Sequence, residues 1–373
     1  MSKQCIRDQI QQPSPVFILV AGLFCLLFLT TGFATDGKNS ENSTPVQQGD
    51  YQGALDTVYP DWFKTSFLEI EEDIIEAREA GKRVMLVFHQ PGCPYCNFFV
   101  ERNLAQKDIE SLVRSEFDAI EINMWGDREV TSVSGEEFTE KTFARQLKVQ
   151  FTPTVLMFSK EGELALRING YYPPDKFRAA LDYVINDKNT QQSFTDYLAS
   201  SGSGATANSN QVIARPVYIS TDDFNTSDPI TLVTEKTDKP YILLFEQKDC
   251  SNCELLHNTV LSASESRELL EKFDVVRVDM WGTDDITRRN GETVTGKELA
   301  RQLQVSYAPT MILYAADHTE VIRSESWLKR FHTQSMLDYV QSDAWRHQPE
   351  FQRYLSERGD TIRESGQSVN ILE

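Results

Sequence analysis

Two pairs of cysteines, each with two residues between its members, are the part of this sequence best suited to chemistry. Cys93 and Cys96 lie in "HQPGCPYCNFF", and Cys250 and Cys253 lie in "EQKDCSNCELL". Each pair follows a short apolar run and precedes a helix-like segment. Because unpaired amides and the helix dipole at a helix N-terminus stabilise a thiolate, the outer cysteine is the expected nucleophile. The inner cysteine would then resolve the mixed disulfide.

The use of cysteine elsewhere in the chain supports a redox role for these pairs. Of six cysteines, Cys5 and Cys25 lie in the first 34 residues, and every other one belongs to a pair. A zinc ribbon would need roughly 15–20 residues between its two pairs, whereas a whole domain separates these. A structural disulfide that closes so short a loop would restrain little of the unfolded chain. No metal or organic cofactor is required, because two sulfurs carry both electrons.

Residues 1–34 have the layout of an export segment. Two basic residues precede an apolar run from Val16 to Leu29, and the small residue Ala34 comes before a polar stretch. This order is typical of a cleaved signal peptide. The alternative is an uncleaved anchor helix. With either reading we expect the rest of the chain to be exported to the periplasm. An uncleaved segment would in addition anchor the protein to the inner membrane.

The acidity of the chain argues against two classes of partner. The formal net charge is −19, and no basic tract offsets it. Phosphate groups would therefore repel the protein, which disfavours nucleic acids and anionic membrane surfaces as partners. Hydrophobic residues at 40% and charged residues at 25% are typical of a soluble globular protein with buried cores.

A comparison of the chain with itself reveals a duplication. The segment "NMWGDREVTSVSGEEFTEKTFARQLKVQFTPTVLMF" from Asn123 aligns with "DMWGTDDITRRNGETVTGKELARQLQVSYAPTMILY" from Asp279. Two copies at so long a period indicate duplicated domains. Between them lies the small, polar segment "SSGSGATANSN", which is typical of a flexible linker. The predicted parts are an export segment over 1–34, a polar linker over 35–55, a first domain over 56–198, a flexible linker over 199–214, a second domain over 215–358 and a polar tail over 359–373.

Each copy alternates helical and strand patterns. The apolar run "RVMLVF" from Arg83 predicts a strand that is buried on both faces. "TVLMFS" and "ELALRI" predict a hairpin around Gly162, and "PDKFRAALDYVIN" predicts a helix with proline in its first turn. The order is helix, strand, helix, strand, helix, strand, strand, helix. It predicts an α/β fold whose central mixed sheet is covered by helices on both faces.

The strand–"CPYC"–helix unit, followed by "FTPT" before a hairpin, resembles the active site and cis-proline of the thioredoxin superfamily. Within it, the series "WGDREVT…ARQL…FTPT" is most similar to the exported SoxW-type thioredoxins. The resemblance covers roughly residues 59–186 and 217–343, and it implies two tandem thioredoxin-like domains.

This resemblance also implies the roles of individual residues. The first cysteine of each pair, Cys93 or Cys250, would be the nucleophile, and Cys96 or Cys253 would resolve. The cis-proline and the residue before it would meet the substrate; these residues are Thr152, Pro153, Ala308 and Pro309. The two prolines would also stand against the sulfurs and leave no room for a metal.

The sequence departs from ordinary thioredoxins around the cysteines. Val87 and Leu244 occupy the place, six residues before the first cysteine, where thioredoxins carry a buried acid. His89 is a candidate base, with a satisfied loop histidine as the alternative. Trp125 and Trp281 begin the insertion in each copy. They are interpreted as loop anchors, with a place in the substrate groove as the alternative.

The two copies also differ from each other. Asp249 and Glu246 lie close to the second nucleophile in sequence, where Gly92 and His89 lie close to the first. Because nearby negative charges disfavour a thiolate, we expect the first site to be the better reagent. The second site would be slower or would serve for docking.

These observations predict an exported thiol–disulfide oxidoreductase that exchanges electrons with protein disulfides or dithiols. Such a protein needs a redox partner, and we expect a membrane-bound electron donor or acceptor. The alternative function is a redox-inactive tandem module that binds client proteins as a chaperone does.

Overall fold

The computed structural model describes residues 47–201, 230–231, 239–283, 285–287 and 292–373. The predicted export segment and most of the predicted linker over 199–214 lie outside the described residues. Within these ranges, no helix is both long enough and apolar enough to span a bilayer.

The first copy is built around a four-stranded sheet made of β2 (Arg83–His89), β3 (Phe117–Asn123), β6 (Thr154–Phe158) and β7 (Leu164–Asn169). The short strand β1 (Tyr51–Gln52) precedes this sheet, and β4 (Glu129–Thr131) and β5 (Glu137–Thr139) form a separate pair. Its helices are α1 (Ile70–Glu79), α2 (Pro94–Phe98), α3 (Lys107–Glu116), α4 (Glu140–Gln146), α5 (Pro174–Ile185) and α6 (Phe194–Ser201). The sheet order is β3-β2-β6-β7, with β2 parallel to β3 and antiparallel to β6.

The second copy repeats this plan. Its strands are β8 (Ile230–Thr231), β9 (Tyr241–Glu246), β10 (Asp274–Asp279), β11 (Asp285–Thr287), β12 (Thr293–Thr295), β13 (Thr310–Tyr314) and β14 (Glu320–Ser324), and β15 (Val369–Asn370) closes the chain. Its helices are α7 (Ser251–Leu255), α8 (Ser264–Leu270), α9 (Gly296–Gln302), α10 (Arg330–Gln341) and α11 (Phe351–Glu364). The sheet order β10-β9-β13-β14 matches that of the first copy. In each copy a π-helical turn, Phe99–Leu104 or Leu256–Leu261, continues the helix after the cysteines.

Local sequence patterns explain the core of each sheet. All residues of β2 except the last are buried, as expected for a continuous apolar strand covered on both faces. The predicted hairpin is confirmed, because β6 and β7 pair antiparallel and Gly162 adopts a φ of +84° in the turn. The predicted fold class, two thioredoxin-like domains with mixed sheets flanked by helices, is confirmed.

The two copies pack against each other within one compact unit, Val46–Glu373. The contacts are reciprocal. The hydroxyl of Thr195 on α6 donates to the carbonyl of Val305 at 3.0 Å, and the amide of Gln352 on α11 donates to the carbonyl of Gln150 at 2.9 Å. Such an exchange of matching contacts is the pattern of a two-fold interface. The duplicated chain therefore forms an internal pseudo-dimer.

The segment before the first copy and the C-terminal residues are also part of this unit. The strand β1, in the segment expected as a polar linker, pairs parallel with β15 near the C-terminus. The structure also differs from the polar tail expected over 359–373. Helix α11 continues to Glu364, and the side chains of Val369 and Ile371 are buried in a core shared by both copies. Val369 lies in β15 and Ile371 directly follows it, with the half-buried Asn370 between these two buried side chains.

Candidate redox site

Cys93 caps the N-terminus of α2, where the unpaired amides and the dipole of the helix stabilise a thiolate. The preceding Gly92 has a φ of +70°, which turns the chain from β2 into the helix. The amide of Cys96 donates to the sulfur of Cys93 at 3.1 Å, and Pro94 fills the first helical position. This local geometry is the one expected from the spacing of the two cysteines.

Both cysteine pairs are disulfides that lie within a single helical turn. The Cα atoms of Cys93 and Cys96 are 5.3 Å apart, and those of Cys250 and Cys253 are 5.2 Å apart. In each pair the outer cysteine is the more exposed, at 3% against 0% in the first copy and 8% against 5% in the second. The outer sulfur is therefore the one that a substrate can approach.

The cis-proline loop lies beside the outer sulfur in each copy. The bonds Thr152–Pro153 and Ala308–Pro309 are both cis, as predicted. The hydroxyl of Thr152 donates to the sulfur of Cys93 at 3.2 Å. In the second copy the carbonyl of Ala308 lies 3.6 Å from the sulfur of Cys250. The structure thus brings the residue before each proline to its nucleophile.

The two cis-prolines contact neighbouring elements of their own copies. The carbonyl of Pro153 accepts a hydrogen bond from the amide of Gly170 at 2.8 Å, which joins the loop to the end of β7. Pro309 lines a small enclosed space with Leu256 and Ser326. Within the described residues, no group of three or more His, Cys, Asp or Glu side chains is placed to hold a metal ion.

The second copy covers the first redox motif. The hydroxyl of Tyr95, from the "CPYC" sequence, accepts a hydrogen bond from the amide of Lys329 at 3.0 Å. The ring of Tyr95 meets the ring of His332 edge to face at 5.3 Å. Burial raises the pKa of Tyr95, so the phenol is neutral. Sequence reasoning missed these partners because Lys329 and His332 belong to no motif.

The second motif has a corresponding contact with the first copy. The amide of Asn252, from "CSNC", donates to the hydroxyl of Tyr307 at 2.6 Å. The ring of Tyr307 stacks on Tyr172 of the first copy at 5.0 Å. Both redox motifs therefore lie next to the interface between the copies.

A cavity of about 580 Å³ opens above Cys93 between the two copies. Its lining includes Gly92, Tyr95 and Thr152 from the first copy and Ser326, His332 and Gln352 from the second.

Trp125 also lines this cavity, where its indole N–H donates to Gln90 at 2.9 Å and the guanidinium of Arg353 lies 4.7 Å from its ring. For Trp125, the structure therefore supports the alternative of a place in the substrate groove. Trp281 donates its indole N–H to Gln247 at 3.0 Å, which fits a loop anchor.

His89 has partners other than a cysteine. Its ring nitrogen Nε2 is hydrogen-bonded to the carboxylate of Glu121 on the adjacent strand. This bond holds the pKa of Glu121 below its usual range. The ring of His89 also contacts that of Tyr59 at 5.0 Å between centroids. These contacts favour the satisfied histidine over the catalytic base.

The second copy carries the same pair with its charges exchanged. Glu246 takes the place of His89, and Arg277 takes the place of Glu121 and donates to Glu246 at 2.7 Å. His257 is hydrogen-bonded to the same carboxylate. Burial would raise the pKa of Glu246, but these bonds and charges outweigh it and lower the pKa.

The bonds of Glu246 to Arg277 and His257 correct one part of the expected asymmetry, the repulsion that Glu246 would exert on a thiolate of Cys250. The charge of Glu246 is compensated by its partners, so it offers little repulsion to a thiolate at Cys250. Asp249 remains exposed beside that cysteine, with a φ of +55° where the first copy has glycine. The two sites also differ at the residue before the cis-proline, because Thr152 has a hydroxyl that donates to Cys93 whereas Ala308 has no side-chain donor.

Comparison with known proteins finds one family in both copies. The thioredoxin-like domain matches residues 70–185 and 231–341, and no curated protein sequence matches the chain. A thioredoxin-fold protein from Helicobacter pylori is 20% identical, with 37% of this chain and 98% of that chain covered and a TM-score of 0.29. The oxidised C-terminal domain of DsbD from Neisseria meningitidis is 17% identical, with 32% and 89% covered and a TM-score of 0.24.

Proposed function

The chain belongs to the thioredoxin-like domain family, and we propose that it is an exported thiol–disulfide oxidoreductase that exchanges electrons with protein disulfides. One observation carries this proposal. Cys93 caps a helix, accepts hydrogen bonds from Cys96 and Thr152, and borders an open cavity. Hydrogen bonds to the charged form favour a thiolate, so this environment suits a nucleophile.

The reaction follows from the order of the two sulfurs. The thiolate of Cys93 attacks one sulfur of a substrate disulfide, forms a mixed disulfide and releases the other sulfur as a thiolate, which takes up a proton. Cys96, after losing its proton, attacks the sulfur of Cys93 and releases the second substrate thiol. The substrate disulfide gains two electrons, and the cysteine pair loses them. In the opposite direction the same steps oxidise a dithiol.

The setting of this activity is also part of the proposal. The layout of residues 1–34 supports export to the periplasm, and the tandem copies with their matching "FTPT" and "YAPT" loops support a relation to SoxW-type thioredoxins. A membrane-bound donor or acceptor would restore the redox state of the cysteines after each turnover.

Oxidation of the reduced protein by disulfide substrates tests the proposal. The purified protein is reduced, freed of reductant and mixed with insulin or with a disulfide-linked dimer of a short peptide. We expect substrate thiols to appear, with Cys93→Ser losing most of the rate and Cys250→Ser losing less. If the unaltered protein and Cys93→Ser release thiols equally slowly from both substrates, the redox function fails. Retained client binding in that protein would then favour the chaperone alternative.

A further inference from the structure

The wall of the cavity above Cys93 comes largely from the second copy. Helix α10 contributes His332, the segment before it contributes Leu328, and α11 contributes Gln352 and Leu355. The side-chain amide of Gln352 donates to the carbonyl of Gln150 at 2.9 Å, and its oxygen accepts from the side-chain amide of Gln90 at 2.8 Å, so these two bonds close this side of the cavity. The substrate surface of one copy is thus completed by the other.

The chain before the first copy covers another side of the same site. The segment 51–57, named here the N-terminal strap, crosses the loop that carries the nucleophile. The amide of Leu55 donates to the carbonyl of Gly92 at 3.4 Å, and the hydroxyl of Thr57 lies 3.5 Å from the carbonyl of Cys93. Pairing of β1 with β15 ties the strap to the C-terminus.

This enclosure limits the size of what can reach the sulfur. A folded protein partner usually buries about 800 Å² on each side of a stable interface. Around Cys93, the second copy and the strap occupy that surface, and the residue is only 3% exposed. A volume of about 580 Å³ is instead in the range of pockets that bury one small ligand.

His332 gives this cavity a polar group that the described residues leave without a partner. The residue is 7% exposed, lines the cavity and packs its ring against Tyr95. Its nitrogen Nδ1 is buried and has no hydrogen-bond partner among the described residues. Because His332 lines the cavity, a small rotation of its ring would bring Nδ1 to an amide or carbonyl of a bound peptide, and this bond would remove the cost of leaving the nitrogen unsatisfied.

We propose that the second copy builds the substrate cleft of Cys93, that this cleft selects disulfides carried on short, extended peptides over those on folded proteins, and that His332 positions the peptide. The inference rests on the proposed function and deepens it. The exchange itself is unchanged: the peptide disulfide is reduced to two thiols while Cys93 and Cys96 become a disulfide.

The first experiment compares two substrates on the reduced, full-length protein. One is a disulfide-linked dimer of an acetylated and amidated Ala-Cys-Ala peptide, and the other is folded insulin. Each rate is divided by the rate with dithiothreitol, which corrects for the intrinsic reactivity of the disulfide. We expect the corrected rate to be at least tenfold higher for the peptide. Equal corrected rates would overturn the selection while leaving the proposed function intact, and no reaction with either substrate would overturn both.

The second experiment tests the wall from the other copy. Gln352→Ala removes bonds that hold the wall against the first copy, so the insulin-to-peptide ratio should rise severalfold. Gln348→Ala, whose amide bonds Glu357 away from the cavity, is the matched control and should leave the ratio unchanged. An unchanged ratio in Gln352→Ala, with the fold intact by circular dichroism, would contradict a wall that selects by size.

The third experiment separates positioning by His332 from a purely structural role. In His332→Phe, which keeps a ring against Tyr95, we expect KM for the peptide to rise about threefold to tenfold, as for the loss of one hydrogen bond. The kcat value and the rate with hydroxyethyl disulfide, which has no amide groups, should stay unchanged. His347→Phe alters an exposed histidine and serves as the control. A fall in all three values together, or no change in KM, would remove His332 from the proposal.

Discussion

The hydroxyl of Thr152 donates a hydrogen bond to the sulfur of Cys93, and the second copy lacks the equivalent donor. Ala308 stands at that position and brings only its carbonyl near the sulfur of Cys250. The amide of the inner cysteine serves both sulfurs equally, at 3.1 Å. The two nucleophiles therefore differ by one donor. Because hydrogen bonds to charged groups contribute about 1.5–3 kcal/mol, this donor favours the thiolate of Cys93.

Alkylation of the reduced protein at about pH 6 should show this difference. We expect iodoacetamide to label Cys93 before Cys250, as judged by mass spectrometry of the digested protein. Thr152→Ala should slow labelling of Cys93 about tenfold, the effect of losing roughly 1.4 kcal/mol. Ala308→Thr is the matched change and should accelerate labelling of Cys250. Equal rates for both cysteines in the unaltered protein would contradict the difference.

The buried carboxylate of Glu246 should contribute to the stability of the second copy. Glu246→Gln removes the charge that pairs with Arg277 and with the fully buried His257, so we expect a loss of about 3 kcal/mol in the free energy of unfolding. Glu121→Gln is the control, because the side chain of Glu121 is 35% exposed and should contribute about 1 kcal/mol or less. Urea unfolding measures both. Similar losses in the two variants would mean that the exchanged pairs are equivalent.

The redox motif could be predicted from the sequence because its determinants are local. Cys93 and Cys96 are three residues apart on one turn, and the apolar strand before them fixes where that turn begins. The cis bond at Pro153 was expected from the family resemblance rather than from the spacing. The donor from Thr152 was not anticipated, since its role depends on how closely the loop approaches the sulfur.

The covering of that motif could not be predicted, because it depends on surfaces far apart in the chain. Tyr95 and Lys329 are separated by 234 residues, and no pattern marks either as an interface residue. Tyr171 and Trp327, at matching positions of the two copies, likewise pack against the core that both copies share. The sequence between the copies predicts only a flexible linker, and such a linker does not specify how the copies pack, whereas the structure joins them in one unit.

Acid should destabilise the fold through His332. Burial lowers the pKa of His332 to about 4 from its ordinary value of 6.5, so the neutral form is favoured in the folded state. The unfolded chain therefore binds more protons between these values, and stability is lost as the pH falls from about 6.5 to 4. The shift corresponds to about 3 kcal/mol. Urea unfolding at pH 7 and pH 4.5 should show a smaller loss in His332→Phe than in the unaltered protein, with His347→Phe as control. An equal loss in all three proteins would contradict the buried neutral state.

The last residues of the chain should be needed for stability, because Ile371 is buried at 3% exposure in the shared core. A polar tail would tolerate substitution, but truncation of a buried isoleucine leaves a cavity and typically costs about 2–5 kcal/mol. We therefore expect Ile371→Ala to lower the midpoint of urea unfolding clearly. Gln367→Ala, on the exposed approach to β15, is the control and should change the free energy of unfolding by less than about 0.5 kcal/mol. If both variants unfold at the same urea concentration as the unaltered protein, the C-terminal strand does not pack as described. A large loss confined to Ile371→Ala would instead show that Ile371 contributes to the core that both copies share.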